Sequence, residues 1–183
     1  WYPQWDTWEQ FLHGMTTSAL SRDALHQTTA IEIPGGEHVV INTSTAPIIY
    51  NKGGSILRQI EGYIGKDNFR NGLQHYLKSH EYESASSHHL WESFEAVSNQ
   101  PIGSMMKSWI EQPGFPFVNV KQVGHTLVLN QKRFTYLPGK FRQKWIIPII
   151  TTMRGKRRGV PLVAKLECTM VGLRGSSGSQ PIP

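Results

Sequence analysis

Residues 47–58 read Pro47-Ile-Ile-Tyr50-Asn-Lys52-Gly53-Gly54-Ser-Ile-Leu57-Arg58, and the reading of this stretch decides the fold. Ile56, Leu57, Ile60 and Ile64 fall at offsets 0, 1, 4 and 8, the apolar stripe of an amphipathic helix, and Gly65 is placed to end it. Gly53 and Gly54 are poor residues for a first helical turn, costing roughly 1 kcal/mol each against alanine. The compensation expected for them is close approach of another backbone, or of a substrate, near Tyr50. Tyr50 stands at the mouth of this helix, where a phenol can project into a cleft. On the residues alone it is a half-buried aromatic at a helix start.

Working outward toward the N-terminus, Thr28 to Asn42 is expected to be an irregular loop around Pro34-Gly35-Gly36. Before it, Trp5, Trp8, Leu12 and Met15 recur at helical spacing, with Asp6 and Glu9 near the helix start. A separate short helix is expected from Ser18 through His26. Toward the C-terminus, Phe69, Leu73, Tyr76 and Leu77 mark a further helix. Leu90, Trp91, Phe94 and Val97 mark another, with Ser86 or Ser87 as its N-cap. Ile102, Met105, Met106 and Trp109 share one face of a last helix, which Pro113-Gly114 ends. Residues 1–113 are thus read as a helical subdomain of about four to six helices.

The period changes after Gly114. Phe117-Val-Asn-Val120 alternates, and Gly124-His125 predicts a hairpin turn into Leu127-Val-Leu129. Trp145 to Met153 and Val160 to Cys168 are expected to pair around Arg154-Gly-Lys-Arg-Arg-Gly159, with Pro148 and Pro161 at edges or bulges. From Gly172 onward no strand pattern is read. Residues 114–183 therefore predict an incomplete antiparallel β-sandwich or meander with a Gly/Ser-rich tail and no returning strand partners. The fold class is α+β.

Charge divides the chain at the same place. Residues 1–113 hold seven Lys and Arg against twelve Asp and Glu, net −5, whereas 114–183 hold twelve against the single Glu167, net +11. Basic residues at Lys140, Arg142, Lys144 and Arg154 to Arg158 interleave with Phe134, Tyr136, Phe141 and Trp145. Such a pattern raises a non-enzymatic module that binds nucleic acid or another polyanion. A solvated hairpin tip, with acidic partners supplied by other parts of the protein, is the favoured reading. No apolar run approaches the roughly 20 residues of a membrane span, and the opening residues have no signal-peptide pattern. Cys168 is the only cysteine, which excludes an intrachain disulfide and fits a reducing, cytoplasmic setting.

The histidines do not form a ligand pattern. His75 and His80 are five apart and His88-His89 are adjacent, so neither pair converges on one helix face. His88-His89 is read as a solvated helix start, His80 as serving the loop after its helix, and Met105 and Met106 as core. Lys52 is read as solvated or ion-paired.

Several segments, in one order, carry a family resemblance over about residues 1–136. They are Trp1-Tyr2-Pro3 with Trp8, Arg22-Asp23-Ala24-Leu25, Tyr50-x-Lys52-Gly53, and Phe69-Arg70-x-Gly72-Leu73 with Tyr76-Leu77. His80-x-Tyr82 with Leu90-Trp91, then Trp109-Ile-Glu-Gln112-Pro-Gly114-Phe115-Pro116, complete the set. The chain resembles the zinc-dependent aminopeptidases of the thermolysin-like (gluzincin) clan, which include aminopeptidase N, the puromycin-sensitive enzyme and the tricorn-interacting factors. It departs from them at Thr28-Thr29-Ala30-Ile31, where Ser-His-Pro-Ile is common, and at Ser44-Thr45, where Phe-Asp precedes the tyrosine. The zinc motif His-Glu-x-x-His and the Gly-x-Met-Glu-Asn segment that binds the substrate amino group are absent from these residues. The resemblance implies an internal piece of a metallo-aminopeptidase that removes N-terminal residues from peptides. An upstream catalytic subdomain would hold the zinc, and this chain would bind none. It implies for Tyr50 the role of transition-state stabiliser, donating to the oxyanion that forms on the scissile carbonyl. Nucleic acid and membrane are not expected partners.

Overall fold

The computed structural model describes residues 2–34, 39–124, 126–153, 156–160 and 169–172. It is α+β, as the sequence predicts, with helices before Gly114 and strands after it.

After a 3₁₀ turn at Pro3–Trp5, α1 (Thr7–Gln10), a π-helical segment (Phe11–Thr16) and α2 (Thr17–Asp23) run on without a break. The expected division before Ser18 is therefore corrected to one helix, ending at Asp23 rather than His26. No Gly or Pro interrupts Met15 to Asp23, and the residues on either side of the expected boundary all keep right-handed helical angles. Trp5, Trp8, Leu12 and Met15 lie on this helix or the preceding turn and are exposed. The loop from Thr28 to Asn42 is irregular wherever it is described.

A second π-helical segment, Pro47–Lys52, leads directly into α3 (Gly53–Ile64). Gly65 follows at φ 86°, a left-handed conformation that favours glycine, and closes the helix through its N–H to the Glu61 carbonyl. Then come α4 (Lys66–Ser79), α5 (Ser87–Ser98) and α6 (Ile102–Ile110). Ser86 is the N-cap residue of α5, and its backbone N–H donates to Nδ1 of His89 at 3.2 Å. His80 ends α4 and stacks on His89 with ring centroids 4.4 Å apart. These two histidines thus serve a helix end and a helix start.

Ile56, Ile60 and Ile64 of α3 meet Trp91 and Phe94 of α5 and Ile102, Met105, Met106 and Ile110 of α6 in the main core. Phe69 stacks on Phe94 at 5.0 Å. Gly72 of α4 lies against that same Phe94 ring, which a Cβ at Gly72 would overlap. Gly54 lies against Phe11, whose ring would stand 3.0 Å from an added Cβ. Gly54 is thus approached by a side chain of the first π-helical segment rather than by another backbone, and Gly53 faces open space.

β1 (Pro116–Val123) and β2 (Thr126–Arg133) form the expected hairpin, with Val123 opposite Thr126 and Gly124 at φ 58° in the turn. β5 (Thr169–Gly172) adds antiparallel to the other edge of β2, so the three-stranded order is β1-β2-β5. This corrects the expectation that no strand returns. β3 (Ile149–Met153) pairs with β4 (Lys156–Val160), Met153 opposite Lys156. Lys156, Arg157 and Arg158 therefore belong to a strand and not to a wide basic turn. Residues 161–168 of the second expected strand, Pro161 included, lie outside the described residues.

The first part of the other expected strand, Trp145 to Pro148, is not in a ladder, and Gln131 shows why. Its side-chain amide donates to the Trp145 carbonyl (2.8 Å) and accepts from the Trp145 N–H (2.9 Å), as a strand backbone would. Trp109 Nε1 donates to the Ile146 carbonyl at 2.8 Å, and Gln112 donates to the Lys144 carbonyl at 2.7 Å. The segment is held between α6 and β2 by side chains, and the backbone N–H and C=O groups of Trp145 and Ile146 are satisfied without a strand partner, Ser108 Oγ accepting from the Ile146 N–H at 3.0 Å.

Candidate functional site

The helix that carries Tyr50 has a continuous inner stripe. Ile48, Lys52, Ile56, Ile60 and Ile64 recur every fourth position, and all five are buried. Two positions along a helix is about half a turn, so fixing Ile48 and Lys52 inside turns Tyr50 outward. Tyr50 is 61% exposed while Ile48 is 0% and Lys52 6% exposed. Its hydroxyl has no hydrogen-bond partner among the described residues, so it is available to a ligand. A cavity of about 250 Å³ is lined by Thr16, Ala19, Asp23, Lys52, Ser55 and Phe115, among others.

Lys52 is the charged member of the stripe. Its Nζ forms an ion pair with Asp23 Oδ2 at 2.8 Å and donates to the Gly114 carbonyl at 2.9 Å. Asp23 Oδ1 accepts from the Gly114 N–H at 2.9 Å and from the Thr28 hydroxyl at 2.8 Å. Gly114, at φ 91°, therefore offers both backbone groups to the pair, and Arg133 covers it where a Cβ would stand. Arg133 in turn donates to the Leu25 carbonyl at 3.2 Å and lies over the Phe141 ring. Burial pushes the Lys52 ammonium below the usual lysine range and the nearby Arg133 pushes the same way, against the opposing pull of Asp23. The sequence reading allowed Lys52 an ion pair but missed Asp23, Gly114 and Arg133. A lysine four residues from buried apolar positions on both sides is the signal that could have found the pair.

The two π-helical segments lie against each other. Thr16 of the first shares a hydrogen bond with Ser55 at 2.8 Å, and Ser55 also donates to the Asn51 carbonyl of the second at 2.7 Å. Such segments are rare and occur often at functional sites.

Other sequence-based candidates are dispersed. Among the described residues no three His, Cys, Asp or Glu side chains gather as a possible metal set, so these residues do not fit a zinc ion by themselves. Among the described residues, too, no helix is long and apolar enough to cross a membrane. Of the four aromatics interleaved with the basic residues, Tyr136 is exposed and the other three are engaged within the fold. Trp145 is fully buried, Phe134 stacks on Phe115 at 5.3 Å, and Phe141 is taken by Arg133 and His26.

Comparison with known proteins gives this arrangement a family. The chain is 38% identical over 155 residues to Tricorn protease-interacting factor F2 of Thermoplasma volcanium, covering 84% of this chain and 20% of that protein. It is 35% identical over 155 residues to Leucyl aminopeptidase of Saccharolobus solfataricus, covering 85% and 20%. Against Aminopeptidase M1-D of Oryza sativa it is 34% identical over 148 residues, covering 81% and 17%. The chain thus spans about a fifth of the length of the curated relatives it matches. Residues 1–109 match the peptidase family M1 domain, a span that contains Asp23, Tyr50 and Lys52. The chain belongs to peptidase family M1.

Proposed function

We propose that this chain is the part of an M1 metallo-aminopeptidase that supplies Tyr50 to the reaction, the zinc ligands lying in an upstream catalytic subdomain. Residues 1–113 form the helical part of a thermolysin-like catalytic domain, and residues 114–183 begin a β-sandwich. The division is supported by the end of the family match at residue 109, next to the end of α6 at Ile110 and shortly before β1 opens at Pro116. Peptides are the substrate class, as the names of the relatives suggest.

One observation carries the reading of Tyr50: its phenol points outward from a π-helical turn whose inner face is fixed by Ile48 and Lys52. When water attacks a peptide carbonyl, negative charge grows on the carbonyl oxygen. A fixed phenol at hydrogen-bond distance donates to that oxygen and stabilises the transition state more than the ground state. The metal supplies its own chemistry from residues outside this chain.

The test separates chain from enzyme. Prepared alone and dialysed, the 183-residue chain should hold no stoichiometric zinc and hydrolyse no aminoacyl-anilide. The M1 protein containing it should hydrolyse these substrates and lose activity to a chelator. One tightly held zinc per isolated chain, bound by its own histidines, would overturn the division of labour.

A further inference from the structure

Resting on the reading of Tyr50 above, we infer that the buried Asp23–Lys52 pair is a positioning device, holding the π-helical turn in the phase that aims the Tyr50 phenol. Lys52 is the last residue of the π-helical segment and Tyr50 stands two places before it. A π-helical turn has an alternative close at hand, because its carbonyls can revert to the i→i+4 pattern. A slip of one residue would rotate Tyr50 by about 100° relative to α3. The inner stripe alone does not forbid this, since apolar contacts are not directional. The Lys52 ammonium is directional: it is held at 2.8 Å by Asp23 and at 2.9 Å by the Gly114 carbonyl. Asp23 is itself fixed by Gly114 and Thr28, so the anchor comes from α2 and the turn before β1. Lys52 and Asp23 are both buried, and in this inference the pair acts through Tyr50.

The test is a mutant cycle in the M1 enzyme that carries this segment. Lys52→Met keeps the length of the side chain and removes both bonds, and it should lower kcat roughly 10²-fold with little change in KM. In a Tyr50→Phe background the same substitution should cause no further fall. An equal loss in both backgrounds would overturn the inference. If Lys52→Met does not fold, Asp23→Asn serves, because it leaves an oxygen for the Gly114 N–H and the Thr28 hydroxyl and removes the charge and the acceptor that face Lys52. A second readout does not depend on catalysis. With 3-fluorotyrosine at position 50, the ¹⁹F resonance should move on Lys52→Met and stay in place on the core substitution Ile64→Val. An unmoved resonance overturns the positioning role. A normal kcat for Tyr50→Phe alone rejects instead the catalytic reading, and the fluorine shift then decides the positioning role by itself.

Discussion

Lys52 and Asp23 meet at 2.8 Å with both side chains almost fully withdrawn from water, joining the helix of Tyr50 to the end of α2. Breaking such a pair from one side leaves an uncompensated buried charge, which is worse than never having had the pair. Lys52→Met should therefore destabilise the chain by about 3–5 kcal/mol. Lys52→Met with Asp23→Asn should fall short of the sum of the two single losses by about 0.5–3 kcal/mol. Urea unfolding of the four proteins measures this. Simple additivity would mean that the two side chains do not depend on each other.

The same burial fixes the sign of a pH dependence. Lys52 has its folded pKa lowered, chiefly by desolvation, from an ordinary lysine value of 10.5. The unfolded chain then binds more protons than the folded chain between the two values, so stability rises with pH across that window. The Lys52 contribution is fully present above the ordinary lysine value and is lost as pH falls through the folded one. Subtracting the Lys52→Met stability curve from that of the unsubstituted chain should give a difference that increases from neutral pH toward pH 10. A flat or falling difference would show that Asp23 outweighs desolvation.

Three helical glycines separate packing from propensity. A Cβ at Gly53 meets nothing, so Gly53→Ala should stabilise by about 0.5–1 kcal/mol through helix propensity alone. At Gly72 a Cβ would overlap the ring of Phe94, which is fully buried and stacked on Phe69. Gly72→Ala should cost about 1–3 kcal/mol. Gly54→Ala, 3.0 Å from the Phe11 ring, should fall between them. Thermal unfolding ranks the three, and a stabilised Gly72→Ala protein would show that the α4–α5 packing is looser than described.

What the sequence made legible was local. The stripe of Ile56, Ile60 and Ile64, the glycine stop at Gly65, the buried face of α6 and the β1–β2 hairpin all follow from periods and turn residues within a few positions. The order of motifs that pointed to the aminopeptidases spans the region that matches family M1. The polar network was not legible because its members come together from 62 and 91 positions apart. A lysine on a helix reads as solvated until its inward phase is known. The π-helical segments share the composition of α-helix, so no residue announces them. Trp145 reads as a strand residue because the β-branched Ile146, Ile147, Ile149 and Ile150 follow it, but its backbone is satisfied by the Gln131 side chain. β5 is only four residues long, too short for alternation to stand out.

The central claim is that the outward phenol of Tyr50 serves the transition state, and replacing it with phenylalanine in the M1 enzyme that carries this segment tests it most directly. The change removes one hydroxyl and leaves the packing of the ring, and Tyr50 is neither core nor a member of the Lys52 network. The account predicts that Tyr50→Phe lowers kcat by roughly 10²–10³-fold, about 2.7–4 kcal/mol, as loss of one oxyanion donor does. KM, zinc content and melting temperature should stay nearly unchanged. A Tyr50→Phe enzyme with normal kcat and a lowered melting temperature would contradict the account and return Tyr50 to the role of an aromatic staple at a helix start.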